Sequence, residues 1–165
     1  VLNLSERWHL LLRGEIGASA VHNFRELPAT YRFFAGGDRS VRGFGLDDLS
    51  PLKQGEIPPP AGSTAPPTRI AERFGGRHLI TGTVEFERDL PRHLGVAAFV
   101  DFGNAFDRFG DPLAVSVGLG LRFRLPVLTV GIDVAKALRA PGFLDKDGRP
   151  YLPTARLHLN FSPKL

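Results

Sequence analysis

Apolar and polar side chains alternate along most of this chain, which is the pattern of β-strands that have one apolar and one polar face. In residues 115–125, every second position is valine, leucine or phenylalanine, and the positions between them are serine, glycine or arginine. The same alternation predicts six strands, at residues 7–19, 77–89, 94–104, 113–125, 127–137 and 154–162. Helical periodicity is nearly absent, so the predicted fold class is all-β with antiparallel strands.

The lengths of these strands and of their connections favour a membrane barrel. About ten tilted residues cross a bilayer, whereas strands of soluble proteins usually have about five or six. Residues 20–76 form a very long connection, followed by the short "DLPRHL", the longer "NAFDRFGDP", the very short "LPV" and the long "LRAPGFLDKDGRPYLP". Long loops at one end and short turns at the other are typical of outer-membrane barrels. A soluble β-sandwich with a solvated polar face is the alternative.

The composition of the chain excludes some classes of protein and of site. The net charge is +4, cysteine is absent, and no run approaches the ~20 apolar residues of a membrane-spanning helix. Disulfide frameworks and cysteine-based metal sites are therefore excluded. The chain also lacks methionine and an N-terminal signal pattern, so we expect it to be a segment of a longer protein.

The long connection contains a proline-rich insertion, "QGEIPPPAGSTAPPT", at residues 54–68. Proline has no backbone N–H to donate, so we expect this segment to stay out of any sheet and to form an extended, solvated insertion.

The stretch "RFFAGGDRSVRGFG" at residues 32–45 combines arginine, phenylalanine and glycine. It lacks the lysine and the following helix of phosphate-binding loops. Arginine among aromatic residues also suits single-stranded nucleic acid, but the polar face offers closer partners. We expect Gly43 and Gly45 to let the loop turn sharply, so that Arg42 reaches the inward carboxylates of Glu85 and Asp101. A planar guanidinium pairs bidentately with a carboxylate.

Residues Val41, Arg42, Gly43 and Phe44 match (V/I)-R-G-(F/Y), the signature of the sixth extracellular loop in the BamA/TamA superfamily of outer-membrane assembly barrels. These barrels are of the bacterial surface antigen type. "GGRHLITGTVEFE", "AAFVDFGNAF", "SVGLGLRFRLPV" and "LHLNFSPKL" resemble strands twelve, thirteen and fourteen and the closing strand of the family. The wider "RFFAGGDRSVRG" is most similar to the TamA branch.

The resemblance implies that residues 1–165 are the C-terminal portion of one transmembrane β-barrel domain, with the six strands as strands eleven to sixteen of sixteen. Residues 20–76 would be an extracellular loop that folds into the lumen. Glu85 and Asp101 would be the family's acidic positions, which hold Arg42 there. The protein would be integral to the bacterial outer membrane, with long loops extracellular and short turns periplasmic.

The implied function is the assembly or translocation of outer-membrane proteins and autotransporters, through a seam between the first and last strands that can open. The implied partners are the outer-membrane bilayer, unfolded outer-membrane proteins or autotransporters, POTRA domains upstream in the same chain and an inner-membrane partner of TamB type. Catalysis, cofactors, metals and nucleic acid are not expected. The seam strand would contain Arg156, Leu157, His158, Leu159, Asn160 and Phe161.

Other interpretations remain open at this point. A two-partner-secretion pore or a passive outer-membrane barrel would have the same strands. Asp101, Asp107 and Asp111 could form a metal loop, although a turn-rich extracellular loop is the stronger interpretation. "DKDG" at residues 145–148 begins like a calcium loop but lacks the later ligands. Trp8 and the two tyrosines are residue types that often lie at membrane interfaces.

The two predicted faces should differ in the substitutions that they tolerate. An arginine at Phe123, on the apolar face, is expected to destabilise a membrane barrel by about 2–4 kcal/mol near the midplane. Replacement of the inward-facing Arg122 by alanine is expected to cost much less.

Overall fold

A computed structural model describes residues 1–57, 68–143 and 150–163 of the chain. They contain nine strands: β1 (Leu2–Asn3), β2 (Trp8–Ala18), β3 (Leu52–Ile57), β4 (Thr68–Arg73), β5 (His78–Leu90), β6 (Leu94–Phe106), β7 (Ala114–Arg124), β8 (Leu128–Arg139) and β9 (Arg156–Pro163). Seven strands form one antiparallel sheet in the order β1-β2-β5-β6-β7-β8-β9, and β3 pairs with β4 in a separate sheet. This confirms the all-β, antiparallel prediction.

The six predicted strands correspond to β2 and β5 to β9, with ends that differ by at most two residues. The pairing follows chain order, and each long strand aligns with its neighbour over most of its length. A shift of register between Val115 and Ser116 is the one irregularity recorded in these ladders of the described strands.

The two faces of the large sheet have the reverse of the polarity found in a water-soluble protein. On the inward face, Glu85, Asp101, Ser116, Arg122 and Asp133 are buried. The outward face is apolar and exposed, with Leu12, Ile16, Phe86, Val96, Val100, Leu119, Leu121, Phe123, Val134, Leu157, Leu159 and Phe161 on its surface. Large exposed apolar surfaces mark contact with a membrane or another protein. The alternation therefore predicted correctly which residues share a face.

The centre of the polar face is buried because the chain between β2 and β5 folds over it. Two short 3-10 turns, Phe24–Glu26 and Ala29–Tyr31, begin this connection. Isolated bridges then join Phe33 to Gly76 and Ala35 to Leu49. The apolar core lies between this loop and the long-loop end of the sheet, and comprises Ala35, Val41, Phe44, Leu49, Leu79, Ala105, Ala114, Ala137 and Phe143.

The proline-rich insertion needs a correction. Its first residues belong to β3 and its last residue, Thr68, begins β4, so both ends of residues 54–68 pair in a small antiparallel sheet. The first proline is Pro58, and the residues before it have backbone N–H groups free to form a ladder. Residues 58–67, which contain all five prolines of the insertion, lie outside the described residues.

Among the described residues, no helix is both long enough and apolar enough to cross a bilayer.

The outward face can be tested by one substitution made in two places. Leu119 is the middle residue of β7 and is 69% exposed, whereas Leu46 lies in the long connection and is 78% exposed. If the outward face meets lipid, Leu119→Arg should lower the free energy of unfolding of the full-length protein in vesicles by about 2–4 kcal/mol. Leu46→Arg, the same change at a loop position, should have little effect. Equal small effects in a denaturant titration would argue against a lipid-facing sheet.

Candidate functional site

The loop motif reaches the sheet because the chain reverses direction just before it. Gly36 and Gly37 have φ angles of 108° and 94°, which glycine adopts without the strain that a side chain would add. The hydroxyl of Ser40 accepts a hydrogen bond of 2.7 Å from the backbone N–H of Gly36, and this contact closes the turn. The following residues, Val41 to Phe44, are all buried against the inward face.

Asp101 on β6 holds the loop arginine through three hydrogen bonds. The backbone N–H and the Nε of Arg42 donate to Oδ2 of Asp101 over 3.1 and 2.9 Å, and Nη2 donates to Oδ1 over 2.9 Å. The guanidinium fork therefore pairs bidentately with the carboxylate, and a main-chain bond is added. The Asp101 side chain has no exposed surface.

The remaining guanidinium nitrogen joins two further strands. Nη1 of Arg42 donates to Oε2 of Glu85 on β5 and to Oδ2 of Asp133 on β8, each over 2.9 Å. The guanidinium carbon lies 3.2 Å from the ring centroid of Phe99, a cation–π contact with β6. The predicted partners Glu85 and Asp101 thus lie against Arg42, together with Asp133 and Phe99, which were not foreseen as partners.

A second buried guanidinium lies beside the first. Arg122 on β7 donates from Nη2 to Oε1 of Glu85 and from Nη1 to Oδ1 of Asp133. Glu85 and Asp133 each give one oxygen to Arg42 and the other to Arg122. These buried ion pairs argue against the expectation that Arg122 can be removed at little cost. Its side chain is buried, and its loss would leave two buried carboxylates half paired.

Ion pairs continue from this cluster toward the short-turn end of the sheet. Arg122 Nε lies 3.2 Å from Glu87, and Arg124 Nη2 lies 2.7 Å from the same carboxylate. Arg124 also pairs with Asp89, whose second oxygen lies 3.2 Å from Nε2 of His9. The polar face of β5 thus carries three acidic side chains, each matched by a basic group.

The other motif residues allow the loop to lie close to the sheet, and they pack around Arg42. The hydroxyl of Ser116 accepts a 3.1 Å hydrogen bond from the backbone N–H of Gly43. A Cβ at Gly43 would lie 2.5 Å from the Ser116 Cβ and 2.8 Å from the backbone nitrogen of Ala137, so no side chain fits there. Val41 and Phe44 fill the apolar core on either side, with the Phe44 ring 5.2 Å from that of Phe143.

The expected reason for two of the glycines needs correcting. Gly43 and Gly45 are absent from the glycines with positive φ, so they do not supply the turn. At Gly43 the requirement is close approach to the sheet, as described above. At Gly45 an added Cβ would lie 2.5 Å from the Asp48 carboxylate, which accepts a hydrogen bond from the Gly45 N–H over 2.8 Å.

The strand predicted to form the seam, β9, contacts the loop with its inward side chains. Nε2 of His158 donates to the backbone carbonyl of Arg42 over 2.6 Å, because a carbonyl can only accept. Asn160 donates to Oδ2 of Asp133 over 3.0 Å, and Arg156 lies 3.5 Å from Asp48 at the exposed edge. The alternate residues Leu157, Leu159 and Phe161 lie exposed on the apolar face.

Electrostatics fixes the loop arginine in its charged form. Burial alone would lower the pKa of the Arg42 guanidinium, but its hydrogen bonds and charge interactions with Asp101 and Glu85 outweigh burial and raise that pKa above its ordinary value. The five charged groups of the cluster are two arginines and three carboxylates, and every carboxylate oxygen accepts at least one guanidinium hydrogen bond. Such an arrangement suits an anchor rather than proton transfer.

The aspartates considered as a metal loop have separate partners. Asp101 binds Arg42, Asp107 accepts a 3.1 Å hydrogen bond from the Arg77 N–H, and Asp111 accepts one of 3.4 Å from the Arg108 N–H. Within residues 1–57, 68–143 and 150–163, no group of three or more histidine or acidic side chains is placed to hold a metal ion. Residues 145–148, the other candidate, lie outside the described residues.

Comparison with known families gives one finding. A family model described as the Omp85 superfamily domain matches residues 1–162. The match includes the loop motif, all of the charged cluster and β9 up to Ser162.

The cluster predicts how the loop responds to loss of its arginine. Arg42→Ala would leave Glu85, Asp101 and Asp133 with one buried counter-charge, which typically costs about 3–5 kcal/mol. We expect the loop to leave the sheet, so that proteinase K cleaves between residues 19 and 51 much faster in the full-length folded protein. Arg39→Ala removes an exposed arginine of the same loop and is the matched control. Cleavage at the wild-type rate in the Arg42 variant would show that other contacts hold the loop.

Arg122 should be nearly as important as Arg42 for stability. We expect Arg122→Ala to lower the free energy of unfolding by about 3–5 kcal/mol, because Glu85 and Asp133 would each lose a buried partner. Arg13, on the same face of β2, is exposed and donates only a 3.3 Å hydrogen bond to Thr83, so Arg13→Ala should cost about 1 kcal/mol or less. A denaturant titration of the two variants in vesicles compares them, and similar small losses would contradict the shared-carboxylate geometry.

Proposed function

The chain belongs to the Omp85 superfamily, and we propose that it forms the C-terminal part of a barrel that inserts or translocates other outer-membrane proteins, autotransporters among them. The superfamily comprises outer-membrane β-barrels concerned with protein assembly and translocation, in agreement with the class predicted from the sequence. The resemblance of "RFFAGGDRSVRG" supports the TamA branch within it.

One observation carries this proposal. A loop arginine is buried against carboxylates from three strands, on the polar face of a sheet whose other face is apolar and exposed. In the proposed barrel, β2 and β5 to β9 are strands eleven to sixteen, and the polar face lines the lumen. The Val41–Phe44 motif then holds an extracellular loop inside the barrel, while the short turns lie in the periplasm.

The proposed working part is the free edge of β9. Within the described strands, β9 pairs with β8 alone and has eight residues, fewer than β2 or any of β5 to β8. An unpaired edge presents backbone N–H and C=O groups that can template another strand. We propose that this edge pairs weakly with the first strand of the barrel and opens to accept a substrate strand by β-augmentation.

The loop and the seam are linked in this proposal through two side chains of β9. His158 donates to the Arg42 carbonyl, and Asn160 donates to Asp133, which itself accepts from Arg42. A docked loop therefore restrains the inward face of β9, and release of the loop frees it. Displacement of the loop would therefore change the restraint on β9, although the loop itself need not contact the substrate.

The proposed partners follow from this arrangement. Lipid meets the apolar face, and unfolded outer-membrane proteins or autotransporters meet the β9 edge. POTRA domains earlier in the same protein would deliver those substrates from the periplasm, and an inner-membrane partner of TamB type would bridge to them.

Reconstitution tests the function. The full-length protein in liposomes should accelerate the folding of an added unfolded outer-membrane barrel, followed by protease protection, relative to empty liposomes. Arg42→Ala should lose much of the acceleration, because the loop and β9 are no longer held in place, whereas Arg39→Ala should retain it.

The outcomes separate the candidate functions. Acceleration that depends on Arg42 supports an insertase with a docked loop. If the Arg42 variant accelerates folding as much as the wild type does, loop docking is not needed for the insertase activity. No acceleration by protein that migrates as folded on heat-modifiability gels would indicate a dedicated two-partner-secretion pore or a passive barrel.

A further inference from the structure

Arg88 interrupts the apolar outward face of the sheet. Along β5 the outward positions are Val84, Phe86, Arg88 and Leu90, so a cation stands where the alternation calls for an apolar side chain. Arg88 is exposed. Among the described residues it forms no hydrogen bond or ion pair, which leaves the five N–H donors of its guanidinium without a protein acceptor.

The nearby acidic side chains cannot neutralise this arginine. Glu87 and Asp89 flank it in sequence but lie on the inward face, because successive residues of a strand point to opposite sides. Glu87 is paired with Arg122 and Arg124, and Asp89 with Arg124 and His9. Among the described residues, the positive charge of Arg88 therefore has no acidic partner, and it is available to a ligand.

Trp8 stands next to this cation. It is the single tryptophan of the chain, it is directly opposite Arg88 in the β2–β5 ladder, and the guanidinium carbon lies 5.1 Å from its ring. Trp8 is 43% exposed. Tryptophan is enriched where the headgroups of a bilayer meet its hydrocarbon core, and arginine extends its charge toward the headgroups from such positions.

The pair lies at the short-turn rim of the apolar face. β5 ends two residues after Arg88, and the turn that follows carries Arg92, a second exposed cation without a hydrogen-bond or ion-pair partner among the described residues. Leu10 and Phe86, the next outward pair in the ladder, continue the surface as an apolar path away from the rim. A cation and an indole at the end of an apolar path match a molecule with an anionic head and a hydrocarbon tail.

We infer that Trp8 and Arg88 form a binding site for an anionic phospholipid. The phosphate accepts hydrogen bonds from the Arg88 guanidinium, the glycerol region lies against the Trp8 ring, and an acyl chain follows the Leu10 and Phe86 surface. The inference requires that the apolar face meets lipid, and it does not depend on the insertase activity. A protein that fails to accelerate folding can still bind the lipid.

Native mass spectrometry of the full-length protein in detergent, titrated with phosphatidylglycerol, tests the site. Arg88→Gln should weaken the tightest phosphatidylglycerol binding by at least about tenfold, since a charge-assisted hydrogen bond is lost. Trp8→Leu, which keeps an apolar side chain, should weaken it by about two- to tenfold through loss of the cation–π and headgroup contacts. Phosphatidylcholine, whose headgroup carries its own cation, should bind more weakly to the wild type and should respond less to Arg88→Gln.

Lys136 provides the matched control. It is an exposed cation on the outward face of β8 near the long-loop end, and no aromatic ring of the described residues contacts it. Lys136→Gln should leave the tightest binding unchanged. Equal loss of binding in the Lys136 and Arg88 variants would show general charge attraction and overturn the inference, as would unchanged binding in Arg88→Gln.

Competition by soluble glycerophosphoglycerol at concentrations near those of the lipid would indicate a phosphate site rather than a lipid site, and would also overturn the inference. Heat-modifiability gels confirm that each variant is folded before titration.

Discussion

Three carboxylates from three strands converge on one guanidinium, and the polar face of the sheet can be buried because that guanidinium is present. Without Arg42, the cluster would place Glu85, Asp101 and Asp133 around one remaining arginine. Buried ion pairs add little net stability relative to apolar packing, but losing one partner is costly. The cluster therefore specifies where the loop lies more than it stabilises the fold. The turn at Gly36 and the fit of Gly43 against the sheet both serve that placement.

The inward face is divided along its length into two parts with different chemistry. Near the long-loop end it is lined by small apolar residues, such as Ala105, Ala114 and Ala137, which leave room for Val41 and Phe44. Toward the short turns it is lined by alternating charges. The outward face is mostly apolar, with the cations Arg88 and Lys136 toward its two ends. Alternate residues of the same strands therefore serve two purposes: one set contacts the loop, and the other set forms the exposed apolar face.

Much of this structure was predictable, because a period-two pattern determines both a strand and its faces. The ends of the strands, the sharing of faces and the approach of Arg42 toward Glu85 and Asp101 followed from that pattern and from the loop motif. The roles of Asp133 and Arg122 did not, since alternation shows which way a residue points but not its height relative to strands two or three places away. The β3–β4 hairpin was not predicted, because the prolines of the insertion cannot donate to a ladder, whereas the residues on either side of them can. For Gly43, the need is space against Ser116, which only the assembled structure reveals.

The contacts of Arg42 join residues 43, 59 and 91 positions apart in the chain, so the order of assembly is constrained. Contacts of such long sequence separation form only after the intervening segments are arranged. The loop can dock once β5, β6 and β8 are already aligned. A slip of one residue in any of these pairings would turn a carboxylate to the apolar side and leave Arg42 with an incomplete site. The full set of contacts around Arg42 is therefore available only in a sheet whose strands have paired in the correct register.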